Sequence, residues 1–278
     1  MKWNKRKLID RTMSFLTAAC VAIAIIPLLS ILYTVTINGI SSINPDFLTQ
    51  LPKPVGEAGG GLGNAIQGTF IVVGIACLIG LPIGILSGIY LSEYGANRFG
   101  RFVSFVADVL TGTPSIAAGM FGYTFIVLYF GSFSAIAGGV ALSVLMIPIV
   151  TRTTEESLKL VPGSIKEASL ALGIPRWKTT LYIVLSTARS GIITGALLAI
   201  ARISGETAPL LFTSFGNMFW ASGIDKPIST LPVQIYTYAI TPFPDWHAKA
   251  WGGALILIIL ILILNIGVRF IIRRRYSV

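Results

Sequence analysis

Residues 251–272 read WGGALILIILILILNIGVRFII, twenty-two positions in which Arg269 is the only charge. A helix rises 1.5 Å per residue, so about 20 mostly apolar residues cross the ~30 Å hydrocarbon core of a bilayer. Runs of the same character recur at 12–37, 65–91, 102–130, 133–150 and 190–212. In lipid no backbone N–H or C=O can go unpaired, which leaves helices or closed barrels; the alternating pattern of a barrel is absent here. The expected fold class is therefore an all-α integral membrane protein of six transmembrane helices. Composition agrees: the 278 residues are 54% hydrophobic and 12% charged, against about a quarter charged in soluble domains.

The net charge of +10 would suit a nucleic-acid binder, but its distribution excludes that class. Basic residues collect in short patches between the apolar runs, as they do in cytoplasmic loops. With the N-terminus inside and six crossings, 17 of the 21 Lys and Arg fall on the inner side and three outside, with Arg202 inside a span. Both termini are expected in the cytoplasm of a multi-pass protein of the cell membrane. The chain divides into residues 1–64, holding the basic tail, the first span and an outer loop, and residues 65–278, a core of five spans. An inner loop over 151–187 connects spans four and five. The outer stretch 213–250 is rich in aromatic residues and proline, suited to the interfacial belt.

Some features carry less. Cys20 and Cys77 lie in apolar runs and offer neither a disulfide framework nor metal-ligand spacing. The basic start followed by apolar sequence resembles a leader, yet the apolar run continues past residue 30 with no closing cleavage site, so an uncleaved first span is expected. The glycines at 59–61 and Gly63 are not a nucleotide loop, because no Gly-Lys-Ser/Thr follows. His247, the one histidine, has no cysteine or histidine partner nearby in sequence, and no metal site is expected.

The inner loop holds the strongest functional signal, Lys166-Glu167-Ala168-Ser169-Leu170-Ala171-Leu172-Gly173-Ile174-Pro175, followed by Ile183 and Leu185. Small residues at 168, 169 and 171 make a thin helix that fits a cleft on a partner. Gly173 can end that helix, and Pro175 forbids its simple continuation. Glu167, Ala168, Gly173, Ile183 and Leu185 stand at the spacings of the E-A-A-x3-G-x9-I-x-L-P motif of bacterial ABC-importer permeases. Ser169 and Ser186 replace its second alanine and its proline. An amphipathic surface helix with incidental small residues is the plainer alternative.

Further segments resemble the phosphate-specific (PstA-like) permeases of that superfamily: Glu57-Ala58-Gly59-Gly60-Gly61, Leu91-Ser92-Glu93-Tyr94, residues 108–115 and residues 201–212. This resemblance implies a type I ABC importer permease fold with a cytoplasmic coupling helix that carries Glu167, Ala168 and Gly173. It implies a sister permease, a dimer of ATP-binding subunits and an extracytoplasmic phosphate-binding protein. ATP and Mg would be bound by the partner subunits, with no cofactor and no ATPase site in this chain. The substrate would be inorganic phosphate, carried across a bacterial inner membrane by alternating access.

Charges within apolar runs are the candidate site. Arg202 lies roughly 18 Å into the fifth run at 1.5 Å per residue, where an arginine costs about 2.5–3.5 kcal/mol on insertion scales. Glu206 follows one turn later. The pair is expected to line the substrate path, with planar donors for an oxyanion tempered by a carboxylate; a structural ion pair is the alternative. Asp108 is read as a buried acid with a packing or gating role beside a hydroxyl such as Thr111 or Thr113. Thr111-Gly112-Thr113-Pro114 is expected to kink or hinge the third span. A secondary transporter would show inverted repeats with paired broken helices, and an intramembrane enzyme a nucleophile with its base; neither pattern is evident. A permease for another oxyanion stands closer.

Overall fold

The computed structural model describes residues 2–57 and 59–275, so Ala58 of the glycine-rich stretch lies outside the described residues. All regular elements among them are helical. Helix α1 (Lys2–Ile40) and a short α2 (Pro45–Thr49) lead into α3 (Gly63–Tyr94), then α4 (Arg98–Gly112) and α5 (Ser115–Phe130). There follow α6 (Ala135–Lys159), α7 (Gly163–Ala171), α8 (Arg176–Ser204), α9 (Ala208–Leu211), α10 (Leu231–Ala239) and α11 (Pro244–Arg275). Five of these are long and apolar enough to cross a membrane, or six if the bent pair α4–α5 counts as one span.

The centre of the bundle is the parallel pair α3 and α6. Gly80, Gly84 and Gly88 of α3 face Met146, Val150 and Thr154 of α6, one contact per turn. A Cβ at Gly84 would stand 2.7 Å from that of Val150, so glycine is what lets the two helices touch. Lipid gives no hydrophobic drive for helices to associate, and small residues supply close van der Waals contact instead. Val72, Ala76, Leu142, Met146, Ala199 and Ile203 belong to the buried cluster around this seam. Helix α8 runs antiparallel to α6, with Gly191 against Ser157 and Gly195 against Thr153. Helix α1 meets α11 near Gly39, beside Trp251 and Leu255.

Several expected boundaries move. The third apolar run is not one gently kinked span, since α4 and α5 meet at 105°. Pro114 pushes the residue before it out of helical geometry, and Thr113 is extended, at φ −73° and ψ 128°. Asn97 caps α4 by accepting the Gly100 N–H at 2.6 Å, which favours a helix that starts afresh after α3. The fourth span continues through the expected inner loop to Lys159, and the fifth begins at Arg176 rather than 190. The fifth also ends at Ser204 rather than 212. Proline at 209 has no N–H and would clash with the carbonyl four residues back; the chain breaks at 205–207 and restarts as α9.

Candidate functional site

Arg202 stands in the last turn of α8, where a cation is favoured by the negative end of the helix dipole. The α8–α6 register set by Gly191 and Gly195, carried onward, brings Arg202 level with Met146. That is roughly 18 Å along α6 from its Ser134 cap. A helix thus ends in mid-bundle, with its terminal arginine displayed. The Arg202 side chain is 64% exposed, and its Nε lies 3.9 Å from Glu206 Oε1. That distance allows attraction but is too long for a hydrogen bond. Because Glu206 lies beyond the end of α8, the two are not the one-turn neighbours on a continuous helix that the sequence suggested. Leu198, one turn earlier, is exposed on the same face, while Ala199 and Ile203 are buried.

Asp108 is not buried: its side chain is 65% exposed. Its partner is Arg152 of α6, not a threonine hydroxyl. Thr111 and Thr113 each donate to their own helix, to the carbonyls of Ala107 and Val109 at 2.8 Å. The Arg152 guanidinium reaches Asp108 through Nε at 3.1 Å, Ser104 through Nη2 at 2.8 Å, and Glu155 through Nη1 at 2.7 Å. Lys159 Nζ closes the far side of Glu155 at 2.6 Å. Arg152 therefore fastens α4 to α6 beside the bend. Glu155, only 9% exposed, is held by two cations. The sequence reading passed over both residues, although Glu155 lies three residues from Arg152 and four from Lys159, spacings that meet on one helix face. Pro114, with Thr113 before it, makes the bend itself.

The segment carrying Glu167, Ala168 and Gly173 forms the separate helix α7. Gly173 adopts φ +80°, its N–H bonds to the Leu170 carbonyl at 2.9 Å, and the Ile174 N–H reaches back to Ser169 at 3.3 Å. This is the two-bond left-handed closure that glycine favours at a helix end. Two further contacts fix α7. Lys166 Nζ is 2.6 Å from Glu93 Oε1 at the end of α3, and the Ser169 and Thr179 hydroxyls share a buried 2.8 Å hydrogen bond. Nothing in the sequence singled out these ties. Glu167 and Ala168 point outward, near the exposed Leu170 and Leu172. The result is a helix pinned to α3 and α8 on one side and free on the other.

The description "binding-protein-dependent transport system inner membrane component" matches residues 80–276. The chain belongs to this permease family, in its PstA branch. It is 43% identical to the phosphate transport system permease protein PstA of Yersinia pestis, over 98% of this chain and 92% of that one. With its namesake in Haemophilus influenzae identity is 45%, over 97% of this chain and 95% of the other. In fold it is similar to a chain of an inward-facing structure of the MetNI methionine ABC transporter. There the TM-score is 0.60 at 20% identity, over 77% of this chain and 93% of the other. The all-helical type I importer architecture of the permease is thereby established, as is its place among multi-pass inner-membrane transport subunits. Among the described residues no group of three His, Cys, Asp or Glu side chains could hold a metal ion.

Proposed function

We propose that this permease carries inorganic phosphate into the cell as one half of the membrane channel of an ATP-driven importer. The observation that carries this reading is the exposed arginine at the mid-bundle end of α8. An arginine at that depth is too costly to face hydrocarbon, and such residues turn toward a water-filled or protein-lined path. Its guanidinium offers planar donors matched to a tetrahedral oxyanion. Glu206, 3.9 Å away, weakens the hold on a bound anion, so that entry and escape stay comparable. The names borne by the relatives from Yersinia pestis and Haemophilus influenzae supply the substrate.

The remaining parts follow from the same reading. A sister permease closes the other side of the path, a binding protein delivers phosphate on the outer face, and two ATP-binding subunits dock inside. Both termini, the basic ends of α1 and α11, lie in the cytoplasm, in keeping with the positive-inside bias. Helix α7 is the lever: ATP-driven closure pushes on Glu167 and Ala168, and the Glu93 and Thr179 ties pass the movement to α3 and α8. ATP and Mg belong to the partner subunits, and this chain contributes no hydrolytic group.

The test is labelled phosphate uptake into proteoliposomes holding the complete complex and its binding protein, with and without ATP, for wild type and Arg202→Ala. ATP-dependent uptake that is lost in an assembled variant supports both the importer and the role of Arg202. Uptake unchanged by the substitution makes Arg202 structural. No ATP-dependent phosphate uptake by the wild type would direct the search to another oxyanion.

A further inference from the structure

Between the last turns of α3 and the first turns of α8 lies a cavity of about 310 Å³ whose two halves differ in chemistry. Its apolar half is formed by Leu86, Ile89 and Leu181, and its rim by Tyr90, Tyr94, Trp177 and Arg176. Leu86 is 66% exposed, and Ile83 and Leu78 extend an exposed apolar track along α3 away from the rim. The carboxylate in the wall, Glu93, is already neutralised by Lys166 at 2.6 Å. Arg176 has no ion pair or side-chain hydrogen bond among the described residues. One more cation stands beside the rim. Lys178 lies 5.4 Å from the Trp177 ring centre, and the ring of Phe99 meets Tyr90 edge-on at 5.4 Å.

We propose that this cavity is a binding site for an anionic phospholipid of the inner leaflet. The phosphodiester lies on the Arg176 guanidinium, the aromatic rim sits at headgroup level, and one acyl chain follows Leu86 toward Leu78. Tyrosine and tryptophan gather at the membrane–water boundary, and basic pockets between helices on the cytoplasmic side hold lipid headgroups. Free inorganic phosphate could use the arginine but would leave the apolar half unfilled, so the occupant is a lipid. The site rests on the orientation proposed above, with the basic end in the cytoplasm, and is independent of which solute the permease carries. A lipid occupying this cavity touches both α3 and α8, the helices to which α7 is tied, so it is placed to stiffen the lever.

The experiment is native mass spectrometry of the purified complete complex, stripped of lipid and titrated with phosphatidylglycerol or phosphatidylcholine. Wild type should bind phosphatidylglycerol more tightly, with one high-affinity equivalent per copy of this chain. Arg176→Gln should weaken that equivalent about fivefold, the effect of removing one basic residue near a lipid phosphate. Arg176→Lys should retain most of it. Trp177→Ala, which leaves the cation in place, should weaken both lipids alike, and size-exclusion chromatography verifies assembly of each variant. Equal binding of the two lipids by wild type, no change in Arg176→Gln, or displacement of the lipid by millimolar inorganic phosphate would each overturn the proposal. Because no transport is measured, such a failure would leave the phosphate-import reading untouched.

Discussion

Arg202 and Arg152 show how differently two arginines can serve one membrane protein. Arg152 directs its donors to Asp108, Ser104 and Glu155, whereas among the described residues Arg202 has only a carboxylate at 3.9 Å. If Arg202 contacts phosphate, Arg202→Lys should keep the charge but lose the planar fork. Uptake should then fall between wild type and Arg202→Ala, with the alanine variant lower by about tenfold or more, as expected for a hydrogen bond to a charged group. A phosphate titration of initial uptake rates measures this; equal rates for lysine and alanine would mean that charge is irrelevant there. In the other cluster, Glu155→Gln should destabilise more than Asp108→Asn. Glu155 is 9% exposed and leaves two cations behind, while Asp108 is 65% exposed and water can replace it. Thermal unfolding in detergent gives the order, and a larger loss for Asp108→Asn would contradict the burial argument. Sequence marked Arg202, Glu206 and Asp108 because a charge inside an apolar run is conspicuous. It could not mark the Asp108–Arg152 pair, whose members stand 44 residues apart.

At the scale of elements, two glycines act through opposite requirements. Gly173 has open space around it, so its demand is purely conformational. A residue with a Cβ in the left-handed region costs about 1–2 kcal/mol, with asparagine tolerated better than most. Gly173→Asn should therefore retain more ATP-coupled transport than Gly173→Val. Gly173→Pro, which cannot reach φ +80°, should leave ATP hydrolysis running without uptake. The ratio of phosphate moved to ATP hydrolysed is the readout, and a normal ratio in the proline variant would remove α7 from the coupling path. Gly84 is the converse case: its φ is ordinary but its space is taken. Gly84→Ala should lower the melting temperature by pushing Val150 away, an overpacking cost of about 1–3 kcal/mol. Val150→Ala in the same chain should restore part of the loss, and a double variant no better than the single would mean the helices do not meet there. A kink or hinge at Pro114 was legible in the sequence; a full break with a 105° angle was not, because proline marks where a helix is weakened and packing dictates where the chain goes next.

For the whole molecule, the prediction concerns sidedness. A cysteine replacing Glu167 should react with a membrane-impermeant maleimide only from the cytoplasmic face. One replacing Lys226 should react only from the outer face, read in intact cells against inverted vesicles after native Cys20 and Cys77 are replaced. The reverse pattern would invert the topology and, with it, the direction of transport. The order of the helices gives the assay its contrast: α8 lies between the two positions, so they belong to opposite ends of the bundle.

Sequence by itself determined that the chain is a bundle of membrane helices, where the apolar runs are centred, and which short helix ends at Gly173. These depend on hydropathy, on basic-residue bias and on local backbone preference, all of which act within a few residues of their cause. Only the tertiary structure decided that the third run is bent by 105°, that α8 stops in mid-bundle with Arg202 displayed, and that Arg152 and Lys166 fasten distant segments together. Those outcomes depend on helix register. In a membrane, register is set by glycine-to-side-chain contacts and a few polar pairs, and an apolar run of nearly uniform hydrophobicity carries almost no record of which face will be covered.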